Sequence, residues 1–247
     1  MTIKNLAIIS LLLVSTVGSA KQIVVAVIDT GISSYYKNKK FLCKEGHKDF
    51  TGTGLNDTHG HGTHISGLIH QEVMNLHILY QPDISSVINS VDPNYCQLII
   101  KFYDSGSNSI NSEINAVNYA IEKKVDIINI SAGGFDIDSL EKAAIKRALD
   151  AGIIIVAAAG NEGVSLEKRP YYPASYDSRI IVVGSLISAN KRSKFSNYST
   201  KVNSWEIGTN LISFGIDGKA KSMSGTSQAT AVKSGKIVRK MLHLGHY

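Results

Sequence analysis

The sequence lacks long blocks of like charge, although 26 basic and 20 acidic residues give it a net charge of +6. Charged residues make up 19% of the chain and are spread along it, which is not the pattern of a disordered segment. The basic residues form neither a stripe nor a nucleic-acid-binding motif, so we expect a solvated basic surface and no nucleic-acid partner. There is no internal repeat. With 247 residues, 43% of them hydrophobic, the chain is predicted to form one medium-sized domain.

Long apolar runs are also scarce. The longest, residues 6–17 (LAIISLLLVSTV), follows the positive start MTIK and precedes GSA, which places small residues at positions −3 and −1 of a cleavage site after Ala20. This pattern is typical of a secretory signal peptide, and an uncleaved N-terminal anchor is the alternative. We therefore predict a signal peptide at residues 1–20 and a secreted domain at residues 21–247, with no membrane association after cleavage. Periplasmic and extracellular locations both remain open.

Cysteine is nearly absent. Cys43 and Cys96 are the only two, and neither lies in a recognisable active-site motif. An exported chain meets oxidising conditions, so we expect one disulfide between them. It would close a 53-residue loop, and the loop-entropy model gives such a bridge about 4 kcal/mol of stabilisation.

Apolar runs and amphipathic segments alternate along the remaining chain. The predicted strands are KQIVVAVIDTG, CQLIIKFYD, VDIINIS, IIIVAAAGN and IIVVGS, and the predicted helices include INSEINAVNYAIEKK and DSLEKAAIKRALDAG. In the second helix, Asp138 and Glu141 form a potential capping box and Gly152 a C-terminal stop. Apolar strands separated by such helices predict an α/β fold whose parallel sheet is covered on both faces. Asp29, Ser131 and Asn161 follow three of the strands, so a site is expected at that edge of the sheet.

Four residues carry the chemistry that this edge suggests. Asp29 follows the first strand, His61 opens a helix within NDTHGHGTHISG, Asn161 follows an apolar strand, and Ser227 opens a late helix. Each alone is a weak signal, because a serine at a helix start is more often a cap than a nucleophile. In chain order, however, Asp, His and Ser follow the subtilisin order of the triad, which differs from the chymotrypsin and α/β-hydrolase orders.

Through the stretches VAVIDTGI, HGTHISG, INISAGG, VAAAGNEG, FSNYS and SGTSQATA, the chain resembles the subtilase family of subtilisin-like serine peptidases. The resemblance implies a subtilisin-like three-layer fold and endopeptidase activity on proteins or peptides. It also implies that Ser227 is the nucleophile, His61 the general base, Asp29 its orienting partner and Asn161 an oxyanion donor. His64 is expected to be a buried supporting residue and His59 an exposed one.

The resemblance further implies two extended segments that pair with the substrate backbone. Their expected residues are Ser131, Ala132 and Gly133 in one segment, and Gly106 and Ser107 in the other. Glu162 and Tyr171 are expected to border the primary specificity pocket, although an acidic rim and a bulky ring favour different substrates, and the preference stays open.

We expect a monomer with no cofactor. Calcium sites are frequent in the family, but the sparse carboxylates of residues 70–94 make no site evident, and calcium binding stays open. Two alternatives compete with the peptidase hypothesis. One is a catalytically silent protein that only binds peptides in the same groove. The other is a metal enzyme built on His59, His61 and His64, which lack the HExxH spacing of a zinc helix.

Overall fold

The structure, a computed structural model, describes residues 21–78, 83–105, 107–108 and 110–244. The predicted signal peptide and Gly106 lie outside these described residues. The strands are β1 (Ile23–Asp29), β2 (Lys48–Asp49), β3 (Tyr95–Lys101), β4 (Tyr103–Asp104), β5 (Ser107–Asn108), β6 (Ile127–Ile130), β7 (Ile154–Ala158), β8 (Ile181–Ser188), β9 (Lys191–Arg192), β10 (Ser204–Ile207), β11 (Leu211–Phe214) and β12 (Ala220–Met223). The helices are α1 (His61–Met74), α2 (Asp83–Asn89), α3 (Ile110–Glu122), α4 (Ser139–Asp150) and α5 (Thr226–Leu244).

One eight-stranded sheet forms the centre of the molecule. Its order is β10-β8-β7-β6-β1-β3-β2, with β9 pairing to β8. Every pair along the main order is parallel, and only β9 runs antiparallel to its neighbour. Two antiparallel ribbons, β4-β5 and β11-β12, lie outside the main sheet.

Alternation along β1 divides the core between the two faces of the sheet. Ala26 and Ile28 belong to a cluster with buried residues of α3 and α4, whereas Val25 and Val27 belong to a second cluster with α1 and α5. Buried strands with apolar side chains on both faces are typical of a parallel sheet between two helical layers. The predicted three-layer α/β architecture is therefore confirmed.

The α1 and α5 helices approach each other closely at Gly235. A Cβ atom built at Gly235 would lie 2.5 Å from the Cβ of Glu72 and 2.7 Å from the carbonyl oxygen of Ile69, so a side chain would separate the helices. Elsewhere in the fold, Cys43 and Cys96 form a disulfide that links the segment before β2 to strand β3. Among the described residues, no helix combines the length and apolarity needed to span a bilayer.

Candidate active site

Three neighbouring strands end at the same edge of the sheet. Ile28 of β1 pairs with Ile130 of β6, and Ile130 pairs with Ala157 of β7. Asp29, Ser131 and Asn161 therefore follow adjacent strands, as the sequence predicted from their positions. A parallel sheet sends the carboxyl ends of its strands to one edge, which is where such folds hold their sites.

A buried Asp29 and a partly exposed His61 form an ion-pair geometry at this edge. The Nδ1 atom of His61 lies 2.8 Å from Oδ1 and 3.0 Å from Oδ2 of Asp29, and Asp29 is only 3% exposed. An ionised carboxylate can only accept, so Nδ1 carries the proton and Nε2 keeps its lone pair. Gly62 permits this contact, because a Cβ there would meet the carbonyl oxygen of Gly31 at 2.5 Å and Oδ1 of Asp29 at 3.1 Å.

The electrostatic surroundings favour a protonated His61. Burial by itself lowers the pKa of His61, but the carboxylate of Asp29, with a smaller contribution from Asp57, raises this pKa by more. The net result is a pKa above the ordinary value of 6.5. An imidazole in this setting is a stronger base and holds a transferred proton better.

Asp57 holds the N-terminus of α1, which carries His61. This side chain is 2% exposed, and its Oδ1 accepts from the Thr30 hydroxyl and from the backbone N–H groups of His59 and Gly60. Its Oδ2 accepts from both the backbone N–H and the hydroxyl of Thr63. A carboxylate at a helix N-terminus satisfies amides that have no intrahelical partner.

Ser227 lies in the first turn of α5 and is linked to Ser131. The Ser227 hydroxyl donates to the carbonyl oxygen of Ser131 at 2.8 Å, and the Ser131 hydroxyl donates to the carbonyl oxygen of Ser227 at 3.1 Å. Within the described part of the chain, the Ser227 hydroxyl thus bonds to Ser131 and not to His61. Asn129 donates to the Ser131 hydroxyl and accepts from Ser234 of α5, which fixes the helix against β6.

Asn161 is oriented by Thr226. Its Oδ1 accepts from the backbone N–H of Thr226 at 2.8 Å and from the Thr226 hydroxyl at 3.0 Å. Both donors bind the oxygen end, and the Nδ2 amide lies 3.6 Å from the position that a Cβ atom would take at Gly225. The Ser227 N–H lies in the first turn of α5 and lacks an intrahelical acceptor. The Asn161 amide and the Ser227 N–H therefore both lie near the start of α5.

The expected substrate segments differ in how much of them the structure describes. Ser131 is buried, Ala132 half-buried and Gly133 exposed at the edge of the site. Ser107 belongs to β5, which pairs with β4 through Asp104. Gly106 lies outside the described residues.

Glu162 directly follows Asn161, and the Tyr171 ring lies beside Gly160, the residue before Asn161. The Tyr171 ring is packed between two glycines, since a Cβ at Gly133 or Gly160 would meet it at 2.5 Å and 3.0 Å. Glu162 is exposed, and its Oε2 accepts from Asn197 at 2.7 Å.

The histidines near His61 have separate environments. His59 is exposed, while His64 is fully buried, with Nε2 about equally close to the carbonyl oxygens of Lys221 at 3.0 Å and Leu211 at 3.1 Å. Burial lowers the pKa of His64 to about 4, so it is neutral at pH 7. Across the described ranges, no group of three or more His, Cys, Asp or Glu side chains is arranged to hold a metal ion.

Sequence reasoning missed Asp57, Thr226 and Asn129. Asp57 stands inside the histidine-rich segment, three residues before Gly60, but a loop aspartate gives no sign of burial. Thr226 directly precedes Ser227, and a threonine at the start of a helix gives no sign of contact with Asn161. Asn129 offered the clearest signal, because it is a polar residue inside an otherwise apolar strand.

Comparisons with known proteins agree with this geometry. The sequence model of the Subtilase family matches residues 20–241. The "Major intracellular serine protease" of Bacillus subtilis (strain 168) is 36% identical over 228 residues, covering 88% of this chain and 67% of that protein. "Subtilisin DY" of Bacillus licheniformis is 32% identical over 209 residues, covering 83% of this chain and 72% of that protein.

A solved structure supports the same assignment. The crystal structure of a cold adapted subtilisin-like serine proteinase superposes with a TM-score of 0.71 at 25% identity, covering 91% of this chain and 77% of that one. The family match spans most of the chain, and the relatives are named as serine proteases and subtilisins. The chain therefore belongs to the subtilase family and is a serine-type endopeptidase that acts on protein substrates.

Proposed function

We propose that the chain cleaves peptide bonds through an acyl-enzyme formed on Ser227, with His61 as general base and Asp29 as its orienting partner. The observation that carries this proposal is the 2.8 Å contact between His61 Nδ1 and Asp29, because it fixes the tautomer that leaves Nε2 free to accept a proton. The raised pKa of His61 supports the same role, since the imidazolium formed after proton transfer is stabilised.

In the free enzyme the Ser227 hydroxyl donates to the Ser131 carbonyl oxygen, and this bond must break before attack. A substrate backbone N–H that donates to Ser131 would take over this acceptor. The Ser227 hydroxyl would then turn to His61 Nε2 and transfer its proton as Oγ attacks the scissile carbonyl. His61 would later deliver that proton to the leaving amine. Substrate binding and activation of the nucleophile are thereby coupled.

The negative charge that develops on the carbonyl oxygen would be stabilised by Asn161 Nδ2 and the Ser227 N–H. Fixed donors of this kind act without reorganisation at the moment of reaction. The partial positive charge at the N-terminus of α5 adds to their effect. Peptides would bind in extended form beside Ser131, Ala132 and Gly133 and beside the segment that contains Gly106 and Ser107.

The proposal includes export of the protein. The disulfide between Cys43 and Cys96 is typical of chains that fold in an oxidising compartment. The N-terminal pattern of charge, apolar run and small residues supports the same conclusion. N-terminal sequencing of the protein recovered from outside the cytoplasm is expected to begin at Lys21. Recovery of an uncleaved chain from the cytoplasm would contradict export and leave the catalytic proposal intact.

The decisive experiment is labelling with a fluorophosphonate probe, followed by mass-spectrometric assignment of the site. We expect label at Ser227 and hydrolysis of casein. The substitution Ser227→Ala should abolish labelling and lower kcat by about 10⁶-fold, the size of loss known for the equivalent change in subtilisin. Ser224→Ala is the matched control, because Ser224 is exposed and bonds to Asn210.

Two results would contradict the proposal. One is a folded wild-type protein that binds peptides but takes no label, which would identify a silent peptide-binding protein. The other is casein hydrolysis that survives in Ser227→Ala. The Ser224→Ala control is expected to label and cleave like the wild type.

A further inference from the structure

A second concave surface, the basic cleft, plays no part in the steps above. It has a volume of about 1480 Å³, and its walls come from the start of β1, the segment before β2, the start of β3 and the residue after α3. Its lining includes six lysines, which are Lys21, Lys37, Lys39, Lys40, Lys44 and Lys123.

Tertiary structure assembles this set of lysines. Four of them lie within residues 37–44 (KNKKFLCK), whereas Lys21 precedes β1 and Lys123 follows α3. The sequence alone shows one short basic run, and folding adds two lysines from distant parts of the chain. The result is a local concentration of positive charge in a protein whose basic residues are otherwise spread out.

The charge of the basic cleft is mostly uncompensated. Lys21 pairs with Asp126 at 2.9 Å, and Lys123 lies 3.6 Å from Glu122. The four lysines of residues 37–44 have no ion-pair partner in the part of the chain that the structure describes. Their ammonium groups are therefore available to an external anion.

The segment that carries these four lysines is held in place by its backbone. The Cys43 N–H donates to the Gln97 carbonyl oxygen at 3.0 Å, and the Gln97 N–H donates to the Phe41 carbonyl oxygen at 2.9 Å. The disulfide between Cys43 and Cys96 fixes the same position, and the Phe41 side chain is 1% exposed. A surface that is already ordered binds a partner with a smaller entropic cost.

His47 supports this segment without adding charge. The Ile99 N–H donates to His47 Nδ1 at 3.0 Å, so Nε2 carries the proton and donates to the Cys43 carbonyl oxygen at 2.9 Å. Burial lowers the pKa of His47 below its ordinary value of 6.5, so the ring is neutral at pH 7. The positive charge of the cleft at neutral pH therefore comes from its lysines.

The composition of the lining indicates which polyanion fits. Among the described residues that line the cleft there is no aromatic side chain and no arginine, so nucleic-acid bases have no platform on which to stack. Val24, Leu42 and Leu98 form an apolar part of the lining between the lysines. A concave surface of this kind fits a chain that carries apolar side chains among its anionic groups better than it fits a flat bilayer.

The basic cleft and the catalytic edge lie at opposite ends of the sheet. Strand β1 begins beside the cleft at Ile23 and ends at Asp29. Its seven residues, with a rise of about 3.3 Å each, span roughly 20 Å. A chain bound in the cleft therefore leaves Asp29, His61 and Ser227 accessible.

We propose that the basic cleft is a docking site for an extended acidic polypeptide segment of a partner protein, in which aspartate or glutamate alternates with apolar residues. The carboxylates bind the lysines of residues 37–44, and the apolar side chains pack on Leu42 and Leu98. This docking does not depend on the catalytic steps proposed above.

The test measures fluorescence anisotropy of a labelled peptide of about twelve residues with the repeat Glu-Glu-Leu. The protein carries Ser227→Ala to prevent cleavage, and mass spectrometry verifies that the peptide stays intact. We expect binding at least tenfold tighter than that of the matching Gln-Gln-Leu peptide in 50 mM NaCl. The Kd should rise at least tenfold in 500 mM NaCl, because salt screens exposed charges.

The triple variant Lys37→Gln, Lys40→Gln and Lys44→Gln removes three exposed charges from the cleft. It should weaken binding of the Glu-Glu-Leu peptide by about 3- to 100-fold, the range for the loss of three exposed ion pairs. Glu45→Gln is the reciprocal variant, since it removes an exposed carboxylate from the lining. It should tighten binding about two- to fivefold, a gain that misfolding cannot produce.

The matched control neutralises three exposed lysines outside the cleft. Lys191→Gln, Lys194→Gln and Lys201→Gln lower the net charge by the same amount, and these positions do not line the cleft. This variant should keep the Kd of the parent within twofold. Thermal unfolding followed by circular dichroism verifies that each variant is folded.

Three results would overturn the proposal. The first is absence of binding to the Glu-Glu-Leu peptide in 50 mM NaCl. The second is equal weakening by the cleft and control triple variants, which would assign binding to net charge alone. The third is tighter binding to oligothymidine or to phosphatidylglycerol vesicles than to the peptide, which would assign the cleft to nucleic acid or to a lipid surface. Failure of fluorophosphonate labelling would overturn the catalytic proposal and leave this inference standing.

Discussion

Thr226 connects the helix that carries the nucleophile to the residue proposed to bind the oxyanion. Its hydroxyl donates to Asn161 Oδ1 and accepts from the Gly160 N–H at 3.2 Å. The side chain is fully buried, so its contribution is positional and does not involve the substrate. Asn161 is then held in one orientation before the reaction begins, which is the condition for effective electrostatic stabilisation.

Thr226→Val removes the hydroxyl but keeps the branched shape. We expect kcat to fall roughly 5- to 10-fold with little change in KM, the size of one neutral hydrogen bond, because the Thr226 N–H still holds Asn161. Asn161→Ala should lower kcat by about 10²–10³-fold, the range known for such an asparagine in subtilisin. Steady-state kinetics on one peptide substrate measures both effects.

The double variant distinguishes a positioning role from a structural one. If Thr226 acts through Asn161, adding Thr226→Val to Asn161→Ala should cost less than it costs in the wild type. Thr226→Ser keeps the hydroxyl and should recover most of the lost kcat. Fully additive effects, or a loss confined to KM, would contradict the positioning role.

At the scale of secondary structure, the N-terminus of α1 depends on a residue outside the helix. Gly60, the N-cap, provides no side-chain hydrogen bond, and the first turn contains no acidic residue. Asp57 supplies both the acceptors and the negative charge from the preceding loop. Since α1 begins with His61, the helix start and the position of the imidazole both depend on Asp57, with Thr30 accepting from the Gly62 N–H beside it.

Asp57→Asn should destabilise the protein and alter its pH profile. An amide group places N–H donors against donors of the backbone, and we expect the free energy of unfolding to fall by about 2–4 kcal/mol. The Asp57 charge also raises the pKa of His61, so its loss should lower this pKa. Because the general base must be neutral, the acid limb of kcat/KM should move to lower pH. Urea unfolding and a pH–rate profile measure the two effects.

Asp49→Asn is the matched control for this prediction. Asp49 also accepts from loop donors, namely Thr51 and the Gly54 N–H, but it does not contact α1. This variant should leave the acid limb in place. An unchanged acid limb in Asp57→Asn, together with wild-type stability, would show that α1 does not require the carboxylate.

The elements were predictable where apolar patterning determines them. The strand ending at Asp29, the helix opening at His61 and the helix capped by Asp138 all match the structure. The β11-β12 ribbon was not predicted, because its strands are short and only partly buried. Spacing alone predicts that Glu141 completes a capping box with Asp138. This prediction is wrong, because the Glu141 carboxylate accepts from the hydroxyl of Tyr176, 35 residues away in the chain.

At the scale of the whole molecule, buried polar side chains are the feature that the sequence predicts least well. Asp57 and Glu113 are buried although local pattern carries no sign of it, whereas Asn129 gives a signal only through its place inside an apolar strand. We could predict Asp29, Ser131 and Asn161 at one edge of the sheet because apolar runs show where the strands end. A cavity of about 530 Å³ between Glu113 of α3 and Glu141 of α4 depends on how these helices pack, which only tertiary structure reveals.

Two buried histidines make the whole fold sensitive to acid. His64 and His70 are fully buried, and burial lowers the pKa of each to about 4 from 6.5. In the unfolded chain they bind protons near pH 6.5, while the folded protein resists protonation until about pH 4. This contribution to stability is therefore complete above pH 6.5 and is lost as pH falls from 6.5 to 4, by at most about 3.4 kcal/mol for each histidine.

His70→Gln isolates one of these contributions. His70 lies between the Tyr95 hydroxyl and the Val87 carbonyl oxygen, and glutamine can bond there without titrating. The variant should be less stable than the parent at pH 7.5 but lose about half as much stability between pH 7 and pH 4.5.

Urea unfolding measures this loss, and a Ser227→Ala background prevents self-digestion. His59→Gln, at an exposed position, should keep the parent's slope of unfolding free energy against pH. His61, whose raised pKa has the opposite effect on stability, is present in every variant and cancels in the comparison. Equal slopes for His70→Gln and the parent would assign the acid sensitivity to other groups.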